Sequence, residues 1–194
     1  MASTPRLILA STSRYRRELL SRFGLPFEAI APGVDEATAP HELPEAAAAR
    51  LAKAKALAVA ARNGDAIVIG SDQVAVCDGL RLDKPGNRPN AIRQLTAMSS
   101  RTVLFHTAVC VVSPSAPPAE AVVPTAVQFR HLTPEIIERY VDREQPFDCA
   151  GSAKAESLGI ALIARMDGPD PTALIGLPLI ALTDLLARHG LRVL

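Results

Sequence analysis

The 194-residue chain has no tryptophan, and only 4% of its residues are aromatic. With so few rings and a formal net charge of +1, it lacks what a nucleic-acid binder needs for base stacking and phosphate neutralisation. Cysteine is also sparse. Cys77, Cys110 and Cys149 are odd in number for a disulfide framework and too far apart for a zinc spacing, which fits a reducing cytoplasm. Long apolar runs are missing too. The stretch 173–182 falls short of the ~18–20 residues of a spanning helix, and Pro178 interrupts it, so no membrane partner is expected. The start, MASTPRLILA, has no basic region ahead of an extended apolar one, and no secretory leader is read there. Lysine is scarce: only Lys53, Lys55, Lys84 and Lys154 among 21 basic residues. A general bias towards arginine explains most of this, yet a surviving lysine can also mark a place where a compact ammonium is wanted.

What is present suffices for a core, with 48% hydrophobic residues against 21% charged. The length fits one domain over residues 1–194. Short apolar strands are predicted at 6–10, 27–31 and 66–70, the last continuing through SDQVAV to a turn at Asp78–Gly79. A long strand at 103–112 and a partner at 122–130 follow around a loop at 113–120, with Pro124 better suited to a sheet edge. A further strand is predicted at 159–166. Helices are expected from Arg14 towards Gly24, at 44–62, at 89–99, from Thr133–Pro134 to Val141, and at 177–189 before Gly190. Strands and helices alternate, so the fold class is α/β (mixed α+β) around a central twisted mixed sheet flanked by helices.

Three constellations could carry chemistry. Ser11 and Ser13, with Arg16 and Arg17, sit where the first strand hands over to a helix, and a helix N-terminus with nearby guanidiniums favours an anion. The same pattern also fits a capped surface helix with solvated arginines. Asp72 directly follows a buried strand, at the rim where a carboxylate can hold Mg²⁺ or orient water, although strand-end turns also use aspartate. Glu36 and Glu156 are scattered acids. Asp83-Lys84-Pro85 and Gly151-Ser152-Ala153-Lys154 place lysines beside small or turn residues, where a backbone can approach a ligand closely. There is no Walker A loop, no G-x-G-x-x-G and no G-x-S-x-G elbow. His41, His106, His131 and His189 have no metal-ligand spacing and read as structural or surface groups.

Seven pieces, LILASTSRYRRELL, PGVDE, RLAKAKA, VIGSDQV, DKP, CAGSAKAESLGI and GLPLIAL, occur in an order that resembles the Maf family of nucleoside triphosphate pyrophosphatases. The resemblance covers essentially the whole chain. GSDQV, the run FRHL ahead of a helix and CAGS-x-K-x-E look most like the YceF-type branch, which hydrolyses 7-methyl-GTP to 7-methyl-GMP and pyrophosphate. The resemblance implies two lobes around a deep cleft, a divalent metal cation (Mg²⁺ or Mn²⁺), a homodimer and a cytoplasmic role. It makes Asp72 the catalytic acidic residue, with Glu36 beside it as a metal-site acid. Ser11, Ser13, Arg16, Arg17, Lys55, Lys84 and Lys154 would handle phosphate, and Tyr15, Gln73 and Glu156 would discriminate among bases. Two positions depart from the family: Arg14 stands where many members have proline, and Tyr15 where the branch often has tryptophan. Tyrosine keeps an aromatic face that a cationic 7-methylguanine could meet by cation–π contact. The alternatives are the same chemistry on dTTP or UTP, and a non-catalytic regulator of septum formation.

Overall fold

A computed structural model describes residues 5–37, 39 and 41–194 of the chain. The leader reading of the first four residues, and Thr38 and Pro40 of the loop after the second strand, lie outside it. The chain forms two compact units. β3 (Ile67–Cys77), β5 (Thr102–Ser113) and β6 (Ala116–Phe129) each run from one into the other. With β1 (Leu7–Leu9), β2 (Glu28–Ala29), β4 (Leu80–Leu82) and β7 (Ile163–Asp167), the strands form a mixed sheet in the order β2-β1-β3-β5-β6-β7, with β4 paired to β3 off that path.

In the first unit (1–72, 107–123 and 170–194), β1 (Leu7–Leu9) lies parallel to β2 (Glu28–Ala29) and to β3, with Leu7 opposite Ile67. All three β1 residues are buried, the continuous apolar run of a strand covered on both faces. α1 (Arg14–Ser21) starts at Ser13, whose hydroxyl accepts the Arg16 N–H. It ends before the predicted Phe23, because Arg22 and Phe23 bond back three residues to Leu19 and Leu20 and tighten the last turn. α2 (Pro44–Ala60) opens on proline and carries Glu45 in its first turn. α5 (Leu179–Arg188) begins two residues later than the sequence suggested, since its first N–H groups are taken by Thr172 and Asp170 (2.8 and 2.7 Å). It stops at Gly190 in a Schellman arrangement, φ +81°, with Leu191 N–H on the Leu186 carbonyl. α1, α5 and the sheet bury one core, including Leu9, Leu19, Leu20, Ile69, Val111, Leu182 and Leu186. Each such side chain contributes about 1.5–3 kcal/mol when fully buried.

In the second unit (73–106 and 124–169), Asp78 and Gly79 both take positive φ and close a two-residue turn into β4 (Leu80–Leu82). The turn was legible; β4, three residues with Leu80 exposed, was too short to show a period. α3 (Arg88–Met98), capped by Asn87, packs on α4 (Pro134–Glu144), capped by Thr133. β7 (Ile163–Asp167) pairs antiparallel with β6 from Ala126 onward, so Pro124 lies outside that ladder, as its missing N–H requires. The strand predicted from 159 begins only at Ile163. Leu158–Leu162 is a 3₁₀ turn in which Gly159 packs on the chain, where a Cβ would stand 2.5 Å from the Lys154 carbonyl oxygen. The loop predicted at 113–120 is likewise mostly strand, with only a short turn between β5 and β6. All three cysteines are free, and burial pushes the thiols of Cys110 and Cys149 up to about 11 and about 12. No helix among the described residues is long and apolar enough to cross a membrane.

Candidate active site

Successive side chains of β3 point to opposite faces. Ile67, Ile69 and Ser71 face the α1–α5 side, whereas Gly70 and Asp72 face α2. Gly70 permits an unusually close approach there: a Cβ would lie 2.1 Å from the Ala52 carbonyl oxygen and 2.7 Å from the Ala56 nitrogen. Because α2 sits this close, Lys55 reaches Asp72, and its ammonium nitrogen lies 2.6 Å from Asp72 Oδ1. The same nitrogen is 2.7 Å from Glu36 Oε1. Lys55 and Asp72 are 4% and 6% exposed, whereas the Glu36 side chain is 56% exposed. One buried ammonium thus joins a buried carboxylate to one that reaches solvent.

The start of α1 adds the cations. Ser11 is buried, and its hydroxyl accepts the Ser13 N–H at 3.1 Å. Arg16, one turn into the helix, donates through Nε to the Gly176 carbonyl at 2.8 Å. Burial draws its pKa down, and the charges of Asp72 and Glu36 oppose that shift, so the guanidinium lies within their field. Arg17 is exposed. The Tyr15 hydroxyl accepts from the Arg14 guanidinium at 2.7 Å, and that group lies 4.7 Å over the ring, so the two departures from the family pattern stack on each other.

Ser11, Ser13, Tyr15, Arg16, Arg17, Glu36, Lys55 and Asp72 therefore belong to the first unit, and Gln73, Lys84, Lys154 and Glu156 to the second. Gln73 follows Asp72 on β3 and is half-buried; Lys84 is exposed in the loop after β4. Lys154 is buried at the C-terminal end of α4. Its ammonium is 3.3 Å from the Glu144 carbonyl oxygen and 3.6 Å from the carboxylates of Glu144 and Asp148. That is the helix end where a cation is favoured. Its backbone N–H donates to the Tyr140 hydroxyl. Glu156 is exposed as a residue, yet partial desolvation of its carboxyl raises its pKa; Glu144 and Asp148 add to this and Lys154 opposes it.

Gly70, Ser71 and Gly176 went unnoticed in the sequence. A glycine inside a buried strand is a signal of close backbone approach and could have marked Gly70. Gly176 acts through its carbonyl, which no side-chain pattern reveals. Among the described residues, no three His, Cys, Asp or Glu side chains gather as a complete metal site. Glu36 and Asp72 are the two carboxylates that converge.

A family model described as Maf-like protein matches residues 6–189. The 7-methyl-GTP pyrophosphatase of Methylobacillus flagellatus is 54% identical over 98% of this chain and 100% of its own length. The 7-methyl-GTP pyrophosphatase of Xanthomonas oryzae pv. oryzae (strain MAFF 311018) is 58% identical, covering 96% of this chain and 97% of its own. Among solved structures, the Staphylococcus aureus Ham1 protein aligns with a TM-score of 0.46 at 13% identity, over 64% of this chain and 71% of that one.

Proposed function

The chain belongs to the Maf family, and from that premise we propose that it is a nucleoside triphosphate pyrophosphatase acting on 7-methyl-GTP. Water attacks the α-phosphorus, the α–β anhydride bond breaks, and 7-methyl-GMP and pyrophosphate leave. The observation that carries the reading is the buried Lys55–Asp72 pair, with Glu36 and Arg16 at its side. It occurs in a chain 54% identical, end to end, to a 7-methyl-GTP pyrophosphatase. Asp72 takes the proton of the attacking water, and Lys55 fixes the orientation of that carboxylate. Ser11 and Ser13 shape the start of α1, and Arg16 and Arg17 offer guanidinium forks to phosphate oxygens. Roles for Gln73, Lys84 and Glu156 in base and phosphate recognition rest on the family resemblance, and single substitutions against one nucleotide panel test them. Lys154 is held by the end of α4, which supports a structural part for it.

Charge balance supports the divalent cation. A triphosphate brings about four negative charges, whereas Lys55 and Arg16 are already matched by Asp72 and Glu36. Glu36 and Asp72 are hard oxygen donors suited to Mg²⁺ or Mn²⁺, and a site of one or two carboxylates completed by substrate phosphates is usual for Mg²⁺. Those two residues would hold the ion, which when bound offsets phosphate charge. A cytoplasmic location and a homodimer complete the proposal, to be checked by fractionation and light scattering.

The test is pyrophosphate release from 7-methyl-GTP, GTP, UTP, dTTP and ITP, with and without Mg²⁺ or Mn²⁺. Turnover should be highest on 7-methyl-GTP and should stop when the ions are chelated. Preference for UTP or dTTP would move the chain to the other branch, and no turnover on any nucleotide would favour the septum regulator.

A further inference from the structure

Ser71 has no exposed surface, and its hydroxyl lies 2.8 Å from the Ala108 carbonyl oxygen and 2.9 Å from that of Gly176. The Gly176 oxygen also accepts the Arg16 Nε–H, at 2.8 Å. We propose that Ser71 is a positioning residue for the pyrophosphatase reaction: it fixes the Gly176 carbonyl, which in turn aims the Arg16 guanidinium at phosphate. The inference rests on the reading of Arg16 as a phosphate-binding group.

Three features carry it. Among the described residues, the terminal nitrogens of Arg16 have no hydrogen-bond partner, so a single contact at Nε sets the direction of the whole fork. Gly176 holds φ at +120°, a conformation side-chain-bearing residues rarely adopt, and a glycine carbonyl turns easily unless something holds it. The surrounding segment is anchored elsewhere. Thr107 Oγ1 donates to the Ala173 carbonyl at 2.9 Å, and the Asp170 carboxylate binds Thr172 and the first turn of α5. Removing the Ser71 hydroxyl therefore leaves the segment in place and frees, within it, the carbonyl that Arg16 uses, along with the Ala108 carbonyl on β5 that shares the same proton.

The experiment is a double-mutant cycle on pyrophosphate release from 7-methyl-GTP, with Ser71→Ala, Arg16→Ala and the double variant. Thr107→Ala serves as control, because it removes a comparable buried hydroxyl-to-carbonyl bond on the same segment. Ser71→Ala should lower kcat/KM about tenfold, the scale of one lost hydrogen bond. In the Arg16→Ala background the same change should cost less than about twofold, whereas Thr107→Ala should combine additively with Arg16→Ala. Thermal melts of Ser71→Ala and Thr107→Ala separate stability from positioning. If Ser71→Ala fails to fold, Ser71→Cys, which keeps the volume with a weaker donor, carries the cycle and should lose activity in the same coupled way. Normal kcat/KM for the Ser71 variant, or full additivity with Arg16→Ala, would overturn the proposal. Full activity of Arg16→Ala would instead remove Arg16 from phosphate binding, a failure of the underlying reading visible before any Ser71 variant is made.

Discussion

Lys55 holds two carboxylates on one ammonium, and the two are not equivalent: Asp72 is buried with it, while Glu36 reaches solvent. Replacing Asp72 with Asn leaves Lys55 still paired with Glu36, so the fold should survive while turnover falls by about 10²–10⁴ if Asp72 is the base. Replacing Lys55 with Met strands the Asp72 charge in the interior, where an unpaired ion costs about 3–5 kcal/mol. Urea unfolding should therefore show Lys55→Met far less stable than Asp72→Asn; equal stabilities would mean that the pair is not buried as described. Tyr15 sets a second expectation. The Arg14 guanidinium already covers one face of its ring, and a cationic base stacking on that face would compete with it. Arg14→Ala should raise the preference for 7-methyl-GTP over GTP and Tyr15→Ala should lower it, within the ~0.5–2 kcal/mol of a cation–π contact. Ratios of kcat/KM for the two nucleotides read both. The lysine scarcity was informative at this scale: Lys55 and Lys154 are buried among carboxylates, while Lys53 and Lys84 are exposed.

The elements that the sequence showed clearly were those whose signals are local. Ser13, Asn87 and Thr133 cap helices with their own side chains, and LIL and AIVIG read as buried strands by composition alone. β4 escaped because three residues show no period, and the 3₁₀ turn at Leu158–Leu162 because Gly159 packs on the Lys154 backbone, a contact that no side-chain pattern records. The site divides in the same way. Asp72 was marked by the apolar run before it, although it lies within β3 and not at the strand's rim, because the strand continues to Cys77. That Glu36, Lys55 and Asp72 converge depends on how closely α2 lies to β3, and Gly70 sets that distance. A methyl at Gly70 would collide with backbone atoms of α2, which cannot rotate away as a side chain can. Gly70→Ala should cost about 1–3 kcal/mol or more by overpacking. It should also lower turnover beyond what that destabilisation explains, because Lys55 moves with the helix. Activity assayed well below the variant's melting temperature separates the two effects; unchanged turnover there would show that α2 need not lie so close.

The whole molecule's stability responds to pH, and His189 has the plainest sign. It caps the end of α5 with Nδ1 2.7 Å from the Ser113 hydroxyl, while Nε2 is buried without a hydrogen-bond partner among the described residues. Burial lowers its pKa from the ordinary 6.5, because protonation would place a second N–H where nothing accepts it. Below about 6.5 the unfolded chain then binds a proton that the folded chain refuses, so stability is full above that pH and falls as pH drops through the window beneath it. The raised Glu156 acts in the opposite sense, since its folded form keeps a proton that the unfolded chain releases. The lowered carboxylates of Glu28, Asp142 and Asp167 lose their contribution only at more acid pH. A comparison with His189→Asn cancels these, because asparagine can keep the bond to Ser113 without titrating. Between pH 7 and pH 5 the melting temperature of the wild-type protein should fall more than that of His189→Asn, and parallel curves would show that the imidazole is not held neutral by burial.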